Sequence, residues 1–161
     1  LHRALFEKLG TGSYNVKLGM NDVSAFKKFD DGYLVDSGVP HFVVFCDDPY
    51  QIDVIAEGRR LRYDPRFQPE GANVNFVSIR EDDVVVRTYE RGVESETLSC
   101  GTGVTASAVA IMLKTGSHNK SQTLRTKGGI LSVAAAFNGD FFENIMLEGP
   151  AQFVFKGEIN L

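Results

Sequence analysis

Apolar positions along this chain come mostly in short runs, or alternate with polar ones, and Gly, Pro, Asn or Asp bounds nearly every run. Side chains of a strand alternate between two faces, so this pattern predicts strands at residues 14–18, 33–35, 42–46, 74–79, 84–89, 130–137, 145–147 and 153–155. The opening "LHRALFEKL" also reads as strand material. Two segments have a different period. Between residues 49 and 62, Ile52, Ile55, Ala56 and Leu61 fall near helical spacing, although Gly58 weakens that helix. From residue 102 to 114, Val104, Ala106, Ala108, Val109, Ala110, Ile111, Met112 and Leu113 surround the axis, which predicts a helix buried on most sides. Lys114 and Gly116 suit its end, where a cation meets the negative pole and glycine takes the left-handed cap. These elements imply an α+β fold, a mainly antiparallel, barrel-like sheet wrapped around a buried central helix. No repeat, low-complexity stretch or linker divides the chain, so residues 1–161 read as one domain.

Composition narrows the function classes. At 161 residues, with 43% hydrophobic and 24% charged positions, the chain can bury a real core. A net charge of -4 and a pI of about 5.4, with Lys and Arg scattered, argue against a nucleic-acid partner. No apolar run approaches the roughly 20 residues of a membrane-spanning helix, and neither a signal-peptide nor a transit pattern opens the chain, so a cytoplasmic protein off the membrane is expected. Cys46 and Cys100 are too few for a disulfide framework, and no recognised Cys/His spacing assembles a zinc site, so no metal is expected. The sequon Asn119-Lys120-Ser121 reads as a chance match in a surface loop.

The candidate chemistry lies where a charged, hydroxyl-rich run meets the apolar helix. Cys100-Gly101-Thr102-Gly103 sits at the helix start, with Thr102 placed to act as N-cap and the glycines letting backbone N–H groups approach a ligand. The positive end of a helix favours a bound carboxylate, and favours a thiolate over a thiol. Upstream, Glu90 and Arg91 follow "VVVRTY" at a strand end, where a carboxylate and a guanidinium can hold an ammonium and a carboxylate. Together those two groups describe an α-amino acid. Taken singly, each residue has an ordinary reading: Cys46 in "FVVFCDD" as a small buried hydrophobe, a Glu-Arg pair as solvated surface, His41 after Pro40 as structural. The joint arrangement is what singles out Cys100. His2 and His118 receive no functional assignment.

These residues carry a family resemblance. "ERGVESETLSCGTG" resembles the E-R-G-x-G-E-T-x-A-C-G-T-G signature around the second catalytic cysteine of diaminopimelate epimerases. "DSGVPHFVVF", "PEGANVNFVSI" and the closing "GGILSVAAAF…MLEGPAQFVFKGEI" are similar to further family segments in the same order. The resemblance implies one lobe, the C-terminal one, of a two-lobe protein in which each lobe is a sheet around a central helix. The first-lobe cysteine, in a C-G-N-G turn, has no counterpart, and Cys46 stands in the wrong context to replace it. With an opening at Leu1 rather than Met, the expectation is a piece of a longer protein, inactive alone.

The resemblance further implies a cofactor-independent, two-base isomerase that converts LL- to meso-diaminopimelate for lysine and peptidoglycan precursor synthesis, with no pyridoxal or metal. Carried over residue by residue, Cys100 is the catalytic acid/base, and Gly101 and Thr102 meet the substrate carboxylate. Glu90, Arg91 and Asn73 bind substrate, and His41 with Glu90 tunes the thiols. Implied partners are an amino-acid substrate, the N-terminal lobe and a second copy in a homodimer. Two departures stand out: Val39 occupies the place of a substrate-contacting asparagine, and "GVESET" holds one residue more than "GxGET". Rival readings are a proline or hydroxyproline racemase, which shares the C-G-T-G turn, and a non-catalytic amino-acid-binding domain.

Overall fold

A computed structural model describes residues 2–80, 83–118 and 120–159. The period-two runs become β1 (Ala4–Gly10), β2 (Ser13–Gly19), β3 (Phe26–Phe29), β4 (Gly32–Asp36), β5 (Pro40–Phe45), β6 (Asn73–Ile79), β7 (Val84–Glu90), β8 (Ser95–Thr97), β9 (Gln122–Thr126), β10 (Gly129–Phe137) and β11 (Phe142–Gln152). The helices are α1 (Val54–Arg62) and α2 (Gly101–Thr115). The strands form a single open sheet in the order β1-β2-β11-β10-β9-β7-β6-β5-β4-β3, with β8 paired to β7. The sheet is mixed. β5 and β6 run parallel because α1 carries the chain back between them, and α2 does the same between β7 and β9. Periodicity alone carries no strand direction, so these two crossovers were hidden in the expectation of a mainly antiparallel sheet.

The two helices lie on opposite faces of β5–β7. Val43, Val77 and Val86 face α2 and join one core with Val104, Val109, Ile111 and Met112. Phe42, Val74, Phe76 and Tyr89, the alternate positions, face α1 and join Val54 and Leu61. Each such side chain, fully buried, contributes ~1.5–3 kcal/mol, enough to hold α2 helical despite its valines and threonines. Its buried hydroxyls are satisfied within the helix, Thr105 Oγ1 donating to Gly101 O and Ser107 Oγ to Gly103 O. Gly58, the weak point of α1 in the sequence, lies against the Tyr89 side chain so closely that a Cβ there would overlap it. A short-range cost in propensity is offset by close packing of α1 on β7.

Several boundaries moved. α1 starts at Val54, because Asp53 Oδ1 caps it by accepting from the N–H groups of Ile55 and Ala56 at 3.1 and 3.0 Å, and residues 49–51 form a separate 3₁₀ turn. Thr102 is not the N-cap of α2: the helix begins at Gly101 with Cys100 in the cap position, and Thr102 turns its hydroxyl elsewhere. Gly116 takes the expected left-handed cap at φ 66°. No strand forms at 153–155, whose side chains are exposed. Instead β11 continues through Gly149 and Pro150 to Gln152. Proline is tolerated there because the paired register with β10 ends at Glu148, so that stretch is paired with β2 on one side. The sequon's Asn119 and the first residue of the opening strand reading, Leu1, lie outside the described residues.

Candidate active site

Three adjacent strands bring polar side chains to the face that α2 covers. His41 on β5 pairs with Asn73 on β6, and Asn75 pairs with Thr88 on β7, in register with the Val77–Val86 pair of the core. Toward the N-terminal end of α2 this apolar row therefore turns polar. His41, Asn73, Asn75 and Thr88 are all buried, and all are hydrogen-bonded, as burial demands.

The polar row reaches the thiol through Thr102. His41 Nε2 lies 3.0 Å from Thr102 Oγ1, which lies 3.4 Å from Cys100 Sγ. Burial, with the positive charge of Arg91 adding to it, pushes His41 down to about 3, so the imidazole is neutral at physiological pH. Ser37, also buried, donates to the Thr102 carbonyl at 2.8 Å and ties the first turn of α2 to the end of β4. The first bond of the helical ladder is Val104 N–H to Cys100 O at 2.8 Å, and no side chain caps the helix. The amides of Gly101, Thr102 and Gly103 thus precede the ladder, at the positive end of the helix. A hollow of about 260 Å³ opens beside Thr102, bordered by Ser37, Gly38, Val39, Met20 and Asn21.

Glu90 closes β7 and Arg91 follows it. The Arg91 N–H donates to Asn73 Oδ1 at 2.8 Å, and its guanidinium donates to the carbonyls of Glu70 and Gly71 at 2.9 and 3.2 Å. Asn73 is therefore held from both sides, its Nδ2 donating to Pro40 O at 3.2 Å. The lengthened loop after Arg91 turns at Glu94, a non-glycine residue in the left-handed region at φ 56°. Its carboxylate compensates for that strain by accepting from Gly92 N–H at 3.1 Å, Tyr89 Oη at 3.0 Å and Arg62 Nε at 3.3 Å, contacts that hold it below the usual carboxylate range. Past the turn, Arg87 grips Glu96 with two bonds of 2.7 and 2.8 Å, fastening β8 to β7.

The predicted residues Cys100, Gly101, Thr102, His41 and Asn73 thus meet in one hydrogen-bonded region, with Arg91 bound to Asn73 and Glu90 at the same strand end. Sequence reasoning missed Asn75, Thr88, Ser37 and Glu94. The "NVN" alternation was the available signal for Asn75, since Asn73 and Asn75 must share a face. Cys46 stands apart, just beyond β5, with Sγ 3.7 Å from Val77 O; burial and then the charges of Asp48 and Asp47 push its thiol up. Among the described residues no three His, Cys, Asp or Glu side chains gather as a metal-ligand set, and no helix is long and apolar enough to cross a membrane.

Comparison with known proteins bears on this geometry. Residues 33–154 match the family model for diaminopimelate epimerase. The chain is similar to the diaminopimelate epimerase of Flavobacterium psychrophilum, at 39% identity over 89% of this chain and 57% of that protein. It is likewise similar to those of Aquifex aeolicus, at 45% over 80% and 46%, and Chlorobaculum tepidum, at 37% over 97% and 62%. The chain spans about half the length of the curated relatives it matches. In fold it is similar to a putative phenazine biosynthesis PhzC/PhzF protein from Clostridium difficile, with a TM-score of 0.53 at 12% identity over 94% of this chain and 60% of that one. A predicted epimerase from Pseudomonas aeruginosa gives a TM-score of 0.51 at 13% identity, over 96% and 68%. The matched segment contains every candidate site residue, and with relatives at this identity along most of its length the chain belongs to the diaminopimelate epimerase family.

Proposed function

We propose that this chain is one lobe of a two-lobe, cofactor-independent epimerase that interconverts LL- and meso-diaminopimelate, and that Cys100 supplies one of its two acid/base thiols. The observation that carries this reading is the placement of Cys100 at the uncapped positive end of α2, with Thr102 and His41 hydrogen-bonded behind it. In the forward step the Cys100 thiolate takes the α-proton: the C–H bond breaks, an S–H bond forms, and the electron pair spreads into the α-carboxylate. A thiol from the other lobe delivers a proton to the opposite face, which inverts the centre. Amides of Gly101 and Thr102 face the developing carboxylate charge, a type of stabilisation worth about 3–4 kcal/mol per well-placed donor. Glu90, Arg91 and Asn73 bind the amino-acid end of the substrate, with Glu90 at its ammonium, and neutral His41 influences the thiol without being charged itself.

The same reading extends to the architecture and setting. Contacts of α2 with β4 to β7 and β9 to β11 support a sheet curled about the helix in the manner of a barrel. The partners are the amino-acid substrate, the second lobe and a second copy of the protein, in the cytoplasm. Exchange of the substrate α-proton with deuterated solvent, followed by mass spectrometry and chiral separation, is the test. The two-lobe protein should exchange and epimerise, and its Cys100→Ala variant should not, while the 161-residue chain alone should do neither. Turnover by the isolated chain, or full activity in the Cys100→Ala protein, would defeat this account.

A further inference from the structure

We propose that Asn75 is a positioning residue that sets the tautomer of His41: it holds Nδ1 as an acceptor, so that Nε2–H occupies Thr102 Oγ1 and the Thr102 hydroxyl proton is left for the Cys100 sulfur. The proposal rests on the reading of Cys100 as the acid/base thiol and adds the residues that prepare it. Asn75 Nδ2 lies 2.9 Å from His41 Nδ1, and Thr88 Oγ1 donates to Asn75 Oδ1 at 2.8 Å. An amide offers either end to a neighbour, so the direction of the chain must be decided by satisfaction of every member. If the Asn75 amide were reversed, Thr88 Oγ1 would accept from Nδ2, and its own proton would have no acceptor among the described residues, in a side chain only 4% exposed. An unmade donor there costs more than the bond gained elsewhere.

With the amide as described, each step follows. Nδ1 accepts, so a neutral imidazole carries its proton on Nε2; Nε2–H then donates to Thr102 Oγ1; and the hydroxyl proton of Thr102 has Cys100 Sγ as its acceptor. Asn73 cannot compete for this role. Its orientation is fixed by the Arg91 N–H on Oδ1 and by Pro40 O on Nδ2, which leaves Nδ2 3.5 Å from His41 Nε2, at the outer limit of any bond. Packing supports the same account. A Cβ on Gly103 would come within 2.6 Å of Asn75 Oδ1 and 3.2 Å of His41 Cε1, so the first turn of α2 rests on this pair because residue 103 has no side chain. A thiolate formed at Cys100 therefore meets a hydrogen-bond donor already oriented toward it, and stores no proton on His41.

The 161-residue chain, labelled with ¹⁵N on histidine, gives the direct test, because long-range ¹⁵N–¹H spectra distinguish bare from protonated ring nitrogens. His41 should show a bare Nδ1 and a protonated Nε2 at neutral pH; the opposite tautomer overturns the proposal, and this measurement needs no variant to fold. Iodoacetamide alkylation of Cys100, followed by mass mapping, tests the far end. Thr102→Val should slow it about tenfold near neutral pH by removing a donor to the charged sulfur, and Thr102→Ser should restore it. Equal rates in all three chains overturn the link to the thiol. Asn75→Asp presents only acceptors to the ring, so Nδ1 should gain a proton; an Nδ1 that stays bare overturns the role of Asn75. None of these readouts uses substrate. Failure of the two-lobe protein to epimerise would remove the function above while the tautomer stood, and a reversed tautomer would remove this inference while activity stood.

Discussion

Replacing Gly103 by Ala tests how tightly the helix start is seated on the site. The backbone at 103 is helical, so alanine fits its conformation and should gain about 1 kcal/mol in helix propensity. Against that stands the new Cβ, which would meet Asn75 Oδ1 at 2.6 Å, His41 Cε1 at 3.2 Å and Cys100 Cβ at 3.3 Å. The Asn75 oxygen is the far end of a side chain, but it is fully buried and bonded to Thr88, and its Nδ2 is bonded to His41. It can move only by breaking one of those bonds, at about 1–3 kcal/mol, or by shifting the helix, at a similar overpacking cost. After the propensity gain of about 1 kcal/mol, the net expectation is a destabilisation of up to about 2 kcal/mol, or a fall in Tm of up to about 8 °C for a chain of this size. Gly101→Ala is the control: its Cβ would touch only Leu147 Cδ2, at 3.1 Å, and a flexible methyl can give way, so the change should stay within about 1 kcal/mol. Urea denaturation with matched m-values measures both. A Gly103→Ala chain more stable than the native one, showing the propensity gain of about 1 kcal/mol with nothing set against it, would refute the argument that α2 rests directly on the Asn75–His41 pair.

Other expectations follow from the same structure. Near neutral pH a small alkylating agent should modify Cys100 faster than Cys46, whose thiol is pushed up by burial and by the acidic residues after it; mass mapping with Cys46 labelled first would contradict this. Glu96 is held below the ordinary carboxylate value by the Arg87 fork and then by Lys127, so its contribution is complete above the unfolded value of about 4.3 and is lost as pH falls through the lower folded value. Glu96→Gln should therefore cost about 2–4 kcal/mol at pH 7, because it leaves a partly buried Arg87 unpaired, and should flatten the acid limb of a urea-stability profile. For His41 the sign is set by a folded value of about 3 against about 6.5 when unfolded: its neutral burial stabilises fully above pH 6.5 and progressively less below, and its ring resonances should not titrate between pH 5 and 8. Arg91→Ala removes bonds to two backbone carbonyls at the site's edge, so it should cost about 1–3 kcal/mol of stability, while lowering both kcat and kcat/KM of the two-lobe epimerase; a collapse of Tm with normal turnover per folded molecule would mark it as purely structural.

Much of this protein is local and could be read from the chain. The apolar girth of residues 104–113, the Lys114–Gly116 ending and the alternating runs at β2, β5, β6, β7 and β10 are determined by side-chain periodicity and turn chemistry, which act over a few residues. The thiol at a helix start and the Glu-Arg pair at a strand end were visible for the same reason. The short strands β3, β8 and β9 were not, because three to five residues carry too little pattern and their pairing partners lie elsewhere in the chain. Strand direction was decided by tertiary structure: the crossovers through α1 and α2 make two pairs parallel, and nothing in a strand's own composition records that. The cap of α2 was also decided at long range. Thr102 has an ideal N-cap side chain, yet its hydroxyl is drawn to His41, 61 residues earlier, and Cys100 takes the cap position instead. Asn75 and Thr88 read as ordinary strand residues until the β5–β6–β7 register sets Asn75 beneath Gly103 with Thr88 bonded to it, where burial obliges every polar atom to find a partner and so joins residues from three strands and a helix start into one network.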